Sequence, residues 1–214
     1  MGLTRQNITK RILAHRLVAI VRLKQQNQVA VTLKCLVDGG IEVLEITSNT
    51  PGYCEEIAKA RAMYPDILIG AGTVINKQRA ADAIAAGAQF LVTPNTNAAV
   101  VQIAHRHNIP VLMGAFTPTE IAQALEMEAD IIKLFPAGEI GTDYLKGVQG
   151  PFDTTPFLAV GGIHLDNVED WFAAGAAGVG VGNQLTRAID SEQDKQDHID
   201  FVKQFVEMVK KHRG

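Results

Sequence analysis

The stretch "IPVLMGAFTPTEIAQALEMEADIIKLF", residues 109–135, contains the unit from which this chain is built. A short apolar run, "IPVLMG", leads into a turn with Gly, Thr and Pro, then a longer segment of helical character, and then the next apolar run, "DIIKLF". Strands that alternate with helices indicate parallel strands with the helices packed outside the sheet. The stretch therefore predicts one strand–helix–strand unit.

The same pattern repeats along the chain and gives eight apolar runs. They are "LVAIVR" (17–22), "IEVLEIT" (41–47), "ILIGAGT" (67–73), "QFLVTP" (89–94), "IPVLMG" (109–114), "DIIKLF" (130–135), "PFLAVGG" (156–162) and "GVGVG" (178–182). Eight regular units in about 200 residues favour a closed (β/α)₈ TIM barrel over an open, doubly wound sheet. Helical segments at both termini, "TRQNITKRILAHR" and "QDHIDFVKQFVEMVKKH", would cap the ends of one domain spanning residues 1–214.

The composition indicates one sizeable core and no strong charge. The 214 residues are 47% hydrophobic and 20% charged, with a net charge of −3, so nothing favours binding to nucleic acid or to a membrane. Cys35 and Cys54 lack the spacing of a metal or redox motif, and no metal is expected. No secretory start is visible, which predicts a cytoplasmic protein, and the basic tail "KKHRG" is interpreted as a solvated helix end.

Two charged residues lie in apolar runs where a barrel would place catalytic groups, at the carboxyl ends of its strands. Strand alternation puts Glu45 on the same face as Val43, and Lys133 on the same face as Ile131. Burial lowers the pKa of a lysine, so more of it is the neutral amine that attacks a carbonyl, and a nearby carboxylate can shuttle protons. A buried ion pair, or outward snorkelling of both side chains, is the structural alternative, although such pairs rarely add net stability.

Two glycine clusters follow the last two runs. "VGGIHLDN" (160–167) follows the seventh, and "GVGVGNQL" (178–185) follows the eighth and is expected to open a helix. Glycines let backbone N–H groups approach an anion, and the loops after strands 7 and 8 are the usual phosphate site of this barrel. Tight turns alone are the alternative, but two successive clusters favour a phosphate site.

A third glycine motif, "IGAGTV" (69–74), resembles half of a dinucleotide-binding motif. It lacks the third glycine and the acidic partner, which excludes an NAD site. Its backbone amides and the Thr73 hydroxyl are instead suited to holding a carboxylate.

Together these segments resemble the 2-keto-3-deoxy-6-phosphogluconate (KDPG) / 4-hydroxy-2-oxoglutarate (KHG) aldolase family. The matching segments, in order along the chain, are "GGIEVLEIT", "IGAGTV", "AGAQFLVTPN", "MGAFTPTE", "IIKLFPA", "GPF" and "VGGI". The resemblance covers nearly the full length of the chain. It implies a (β/α)₈ class I aldolase that uses no metal or other cofactor and is usually a homotrimer.

The resemblance also implies roles for individual residues. Lys133 would form the Schiff base, Glu45 would be the general acid/base, and Thr73 would contact the pyruvyl carboxylate. The remaining implied residues are Pro94 and Phe135 in the pocket wall, and Gly161, Gly162, Gly182 and Asn183 around the phosphate.

One departure from the family concerns the substrate carboxylate. Many relatives have an arginine where this chain has Asn49, and that arginine holds the carboxylate. Arg22, at the end of the first run, is the nearest cation in the sequence pattern and would supply the missing charge.

A second departure concerns the substrate. Gluconate-specific relatives usually read Pro-Thr before the "GG", whereas this chain reads Ala159-Val160. With Asn49 and "VTPN", this resembles the branch acting on 2-keto-3-deoxy-6-phosphogalactonate, the C4 epimer, because a lost hydroxyl can change selectivity. The expected partner is thus a phosphorylated keto acid, with 4-hydroxy-2-oxoglutarate as a further candidate. A phosphate-binding barrel isomerase or epimerase, and a non-catalytic sugar-phosphate binding protein, remain as alternatives.

Overall fold

The computed structural model describes residues 3–213, in which eight parallel strands close into one barrel. Consecutive strands pair in order and the last strand pairs with the first, which confirms the predicted (β/α)₈ barrel. The strands are β1 Leu17–Val21, β2 Val43–Thr47, β3 Leu68–Gly72, β4 Leu91–Val92, β5 Val111–Ala115, β6 Ile131–Leu134, β7 Phe157–Val160 and β8 Gly178–Val181.

Nine α-helices accompany these strands in the described part of the chain. The first precedes β1, as predicted, and each of the other eight follows one strand. They are α1 Arg5–His15, α2 Val29–Asp38, α3 Tyr53–Met63, α4 Lys77–Ala85, α5 Ala98–Arg106, α6 Pro118–Glu126, α7 Thr142–Gln149, α8 Val168–Ala173 and α9 Glu192–Lys210. Within residues 3–213, no helix combines the length and the apolar character that crossing a membrane requires.

Strand alternation divides the apolar side chains into two layers. On β2, Leu44 and Ile46 point outward into the layer between sheet and helices, while Val43 points into the barrel. On β6, Ile132 and Leu134 point outward and Ile131 inward. The interior layer contains Ile8, Ile12, Val18, Ile20, Val43, Leu68, Phe90, Val92, Leu112, Ile131, Leu158 and Val160. Glu45 and Lys133 therefore share the parity of the inward-facing residues, as predicted.

The N-terminal helix α1 closes the bottom of the barrel. Thr4 caps it by accepting a hydrogen bond from the Asn7 N–H, and Ile8 and Ile12 join the interior apolar layer. Arg5 fixes its orientation through an ion pair with Asp130 at 2.7 Å. The prediction that this helix caps one end is confirmed.

The C-terminal helix α9 has a different role from the predicted end cap. It packs alongside α2 and α8 on the outside of the barrel, because it is the helix of the eighth strand–helix unit. The interpretation of the tail as a solvated end holds for Lys210 and Lys211, which are exposed, but not for His212 and Arg213. Arg16 donates to the His212 carbonyl, and Arg213 donates to the His15 carbonyl at 3.2 Å, so the tail is docked against the end of α1.

Candidate active site

Lys133 lies inside the barrel on β6. Its strand neighbours are Gly114 on β5 and Leu158 on β7, and the residue is only 5% exposed. Burial lowers the pKa of its ammonium, the Glu45 charge opposes this, and Arg22 lowers the pKa further. The neutral amine is therefore favoured at Lys133 more than at an exposed lysine.

Glu45 enters the barrel from β2, between Ile20 and Gly70 in the strand register, and is 2% exposed. Burial raises the pKa of its carboxyl, and the positive charges of Lys133 and Arg22 partly offset that effect. Its carboxylate lies against the Cα of Gly72, where an added Cβ would overlap it. Position 72 thus has no room for a side chain while Glu45 keeps this orientation.

The structural alternatives for these two residues do not hold. Both side chains are buried inside the barrel rather than turned out to bulk solvent. Among the ion pairs and hydrogen bonds of residues 3–213, none joins Glu45 to Lys133. The Lys133 Nζ instead lies 4.9 Å from the centroid of the Phe135 ring, which forms the wall beside it.

A cavity of about 300 Å³ opens above Lys133 at the carboxyl end of the barrel. Eight of the predicted site residues line it together, namely Arg22, Lys133, Phe135, Val160, Gly161, Gly162, Gly182 and Asn183. Ile20, Ile163, His164, Gly180 and Gln184 complete the lining. Four predicted residues, Glu45, Asn49, Thr73 and Pro94, lie outside this lining.

The far end of the cavity is built from backbone amides. Gly161 and Gly162 have φ values of +93° and +72°, which favour glycine, and the Gly161 carbonyl accepts from the Gly138 N–H at 2.7 Å. Among the hydrogen bonds of the described chain, the amides of Gly162, Asn183 and Gln184 have no protein acceptor. These free donors, in the loops after β7 and β8, suit an anion.

The sequence predicts a helix that opens directly at the glycine cluster after β8, but no helix begins among residues 182–191. Only one turn forms there, in which Leu185 and Thr186 donate to the Gly182 carbonyl, and α9 begins at Glu192. The Thr186 hydroxyl also donates to the Ile20 carbonyl at 2.8 Å, which ties this turn to β1. An anion here would therefore meet the N–H groups of a single turn rather than the end of a long helix.

The opposite rim of the cavity contains Arg22 and the loop after β3. Arg22 donates from Nη2 to the Thr73 hydroxyl at 3.3 Å, so Thr73 contacts a residue of the lining without being part of it. Asn49 is exposed on the neighbouring loop. Pro94 lies over Gly114, where its backbone fills the space that a side chain on β5 would need.

Two residues at this rim were not predicted from the sequence. Ser48 donates to the Thr73 carbonyl at 2.7 Å, and Arg79 donates to both the Ser48 hydroxyl and that carbonyl. Arg79 lies in the alanine-rich helical segment "NKQRAADAIAAGA". No local sequence signal separates it from Lys77 or Gln78, because its partners come from two other loops.

Known proteins are similar in sequence to this chain. The sequence model described as KDPG and KHG aldolase matches residues 8–202. The chain is 37% identical over 198 residues to the 2-dehydro-3-deoxy-6-phosphogalactonate aldolase of Escherichia coli (strain K12), covering 90% of this chain and 96% of the relative. It is 36% identical over 159 residues to the 2-dehydro-3-deoxy-phosphogluconate aldolase of Treponema pallidum (strain Nichols), covering 74% and 76%.

A solved structure shares the fold. It is a KDPG aldolase from Legionella pneumophila, with pyruvate captured at low pH as a covalent carbinolamine intermediate. The two chains superpose with a TM-score of 0.77 at 28% sequence identity, covering 94% of this chain and 95% of the other.

Proposed function

The chain belongs to the KDPG and KHG aldolase family, which confirms the predicted resemblance, and on that premise we propose a class I aldolase that acts through Lys133. One observation carries the proposal. In residues 3–213, a buried lysine that forms no ion pair opens into a cavity, and the other end of that cavity presents backbone amides that no protein acceptor uses. A ketone that carries an anionic group at its far end fits both features.

The proposed reaction is cleavage of a 2-keto-3-deoxy-6-phospho-sugar acid. The Lys133 amine adds to the C2 ketone, and loss of water gives an iminium. Glu45, directly or through one water, removes the proton of the C4 hydroxyl. The C3–C4 bond then breaks, its electron pair forms an enamine, and glyceraldehyde 3-phosphate leaves. Protonation of the enamine and hydrolysis release pyruvate and restore the amine.

The two ends of the cavity are assigned to the two anionic ends of this substrate. The amides of Gly162 and Asn183, with Gly161 and Gly182 leaving room for close approach, would bind the phosphate. Arg22 and the Thr73 hydroxyl, joined at 3.3 Å, would bind the carboxylate next to the ketone. Arg22 would thereby supply the charge that Asn49 lacks, while Phe135 and Pro94 would shape the wall between the two ends.

For the substrate epimer, we propose the 6-phosphogalactonate branch. Val160 lies on the inner face of β7 and lines the cavity, so a methyl group occupies the place where gluconate-specific relatives usually have a hydroxyl. Asn49 and the segment "VTPN" support the same branch. Activity on 4-hydroxy-2-oxoglutarate, which lacks the phosphate, would use the same Lys133 chemistry.

The assembly and cellular location are inferred from the family resemblance and from the sequence. We propose a homotrimer of single-domain subunits, each spanning residues 1–214, in the cytoplasm. Size-exclusion chromatography with light scattering tests the trimer, for which three times the 23.1 kDa chain mass is the expected result.

Borohydride reduction in the presence of pyruvate tests the chemistry. One reduced pyruvyl group should be attached to Lys133, located by peptide mass spectrometry, and Lys133→Met should lose both adduct and turnover. Lys34→Met, at an exposed lysine on α2, is the matched control that should keep both.

A folded wild-type protein that forms no adduct would refute the proposal. Turnover that survives in Lys133→Met would favour an isomerase or epimerase, and ligand binding without turnover would favour a binding protein.

A further inference from the structure

Two loops at the rim of the cavity are joined by one backbone and one side-chain hydrogen bond. The Ser48 N–H donates to the Gly72 carbonyl at 2.8 Å, and the Ser48 hydroxyl donates to the Thr73 carbonyl at 2.7 Å. The loop after β2 is thereby attached to the loop after β3. Asn49, the departure from the family pattern, is the next residue along the first of these loops.

Arg79 completes the connection from a third element, the first turn of α4. Asn76 caps this helix, and its side chain accepts the Arg79 N–H at 2.9 Å. Helical side chains lean toward the N-terminus, which directs the guanidinium back over the loop after β3. Its Nη1 donates to the Ser48 hydroxyl at 3.2 Å and to the Thr73 carbonyl at 3.3 Å.

Thr73 needs such support because its backbone is left-handed. Its φ is +55°, a conformation that is unfavourable for a β-branched residue. Its carbonyl is held by Ser48 and Arg79, while its hydroxyl accepts from Arg22 at 3.3 Å. If the carbonyl were released, the loop could relax toward an ordinary conformation, and that would move the hydroxyl away from Arg22.

We propose that Arg79 is a positioning residue, which with Ser48 clamps the Thr73 carbonyl and so fixes the Thr73 hydroxyl and Arg22 at the carboxylate end of the cavity. This inference rests on the proposed function for the identity of the ligand. It adds to that function a residue from α4 that lies outside the cavity lining. Arg79 acts through Thr73 and not by touching the substrate.

The inference predicts a specific coupling between Arg79 and Thr73. In Arg79→Ala, the pyruvate concentration that gives half-maximal borohydride trapping should rise about tenfold, the lower end of the value of one hydrogen bond to a charged group. In a Thr73→Ala background, the same substitution should leave this concentration nearly unchanged, because the hydroxyl it positions is gone. A residue that only stabilises the fold would have the same effect in both backgrounds.

A second measurement needs no ligand. Amide hydrogen exchange of residues 72–76 should accelerate in Arg79→Ala, more weakly in Ser48→Ala, and recover in part in Arg79→Lys, which retains a cationic donor. Lys77→Ala is the matched control, since it removes one positive charge from an exposed position in the same helical turn. It should change neither exchange nor trapping.

The outcomes separate this inference from the proposed function. Wild-type protein that traps no pyruvate refutes the aldolase, while the exchange measurement still decides whether Arg79 holds the loop. Unchanged exchange in Arg79→Ala, or an equal effect on trapping with and without the Thr73 hydroxyl, would overturn the positioning role.

Discussion

Lys133 and Glu45 enter the barrel from opposite strands, β6 and β2, and no ion pair joins them among the residues that the structure describes. Burial lowers the pKa of Lys133 and raises the pKa of Glu45, so both groups are displaced toward their neutral forms. Neutral forms are what the proposed reaction needs at its start, an amine to attack the ketone and a carboxyl group to help remove water.

Replacing Lys133 by Met should abolish turnover and also stabilise the protein. The desolvation cost of the ammonium disappears, and we expect the free energy of unfolding at pH 7 to rise by about 1 kcal/mol or more. Because the pKa of Lys133 is lowered in the folded state, this cost is present below the folded pKa and is relieved as pH rises toward the ordinary value of 10.5.

Urea unfolding of wild type and Lys133→Met at several pH values from 7 toward 10.5 measures the difference in their free energies of unfolding. The stability gain of the variant should shrink as pH rises. A variant that is less stable than wild type at pH 7 would show that Lys133 stabilises the fold and that its burial carries no net cost.

Replacing Glu45 by Gln should separate imine formation from turnover. The Glu45 carboxylate raises the pKa of Lys133, so its removal should lower that pKa further and move the midpoint of the pH profile of pyruvate trapping to lower pH. Turnover should fall by about 10²- to 10⁴-fold, because the proton shuttle is lost. A midpoint that moves to higher pH would contradict the assigned coupling between Glu45 and Lys133.

Replacing Arg22 by Gln should move the same pH profile in the opposite direction. The Arg22 charge lowers the pKa of Lys133, so its loss should raise the midpoint of trapping. Loss of a charged partner for the carboxylate should also raise the half-saturating pyruvate concentration, by about ten- to hundredfold. Introducing Asn49→Arg into this variant should restore the affinity for pyruvate if positions 22 and 49 reach the same carboxylate. If the affinity is not restored, the two positions serve different sites.

The sequence predicts the barrel well because its signals are local and repeated. Each apolar run contains a strand, and the alternation of side chains along β2 and β6 alone places Glu45 and Lys133 inside the barrel. The run 89–94 nevertheless yields only Leu91–Val92 as strand, and beyond it the Thr93 hydroxyl accepts from the Gly114 N–H of β5 at 2.9 Å. That contact depends on a neighbouring strand and has no signal in the run itself.

The rim of the site was less predictable for the same reason. Arg79, Ser48 and Thr73 come from three elements and meet only after the barrel has closed. The single turn after Gly182 also depends on a long-range contact, the Thr186 hydroxyl on the Ile20 carbonyl, where the sequence alone suggested a helix. Local patterns thus specify which residues face the site, and tertiary contacts specify how the loops hold them.

Replacing Gly162 by Ala should weaken binding of the phosphate and leave the lysine chemistry intact. The added Cβ would lie 2.9 Å from the Gly138 Cα, and φ at this position is +72°, so the free amide of the loop would be displaced. We expect the KM for a phosphorylated substrate to rise about ten- to hundredfold, the value of one hydrogen bond to a charged group. Pyruvate, which has no phosphate, should be trapped at the wild-type concentration.

Gly147→Ala on α7 is the control for this prediction. An added Cβ there meets no atom within 4 Å, so KM should stay at the wild-type value. Equal losses for pyruvate and for the phosphorylated substrate in Gly162→Ala would instead mean that the substitution disturbs the whole cavity.

Replacing Val160 by Thr should shift selectivity toward the gluconate epimer. Val160 is buried on the inner face of β7 and lines the cavity, so the nearly isosteric Thr would present a hydroxyl to the substrate where wild type presents a methyl group. One hydrogen bond to a substrate hydroxyl is worth about 0.5–1.5 kcal/mol, which predicts a change of up to about tenfold in the ratio of kcat/KM values for the two epimers. Side-by-side kinetics with both 6-phosphates measure the ratio.

Ala159 is the control position for this prediction. It points outward into the layer against the helices, so Ala159→Ser should leave the ratio unchanged. A ratio that stays constant in Val160→Thr would place the discrimination between epimers at another residue of the cavity.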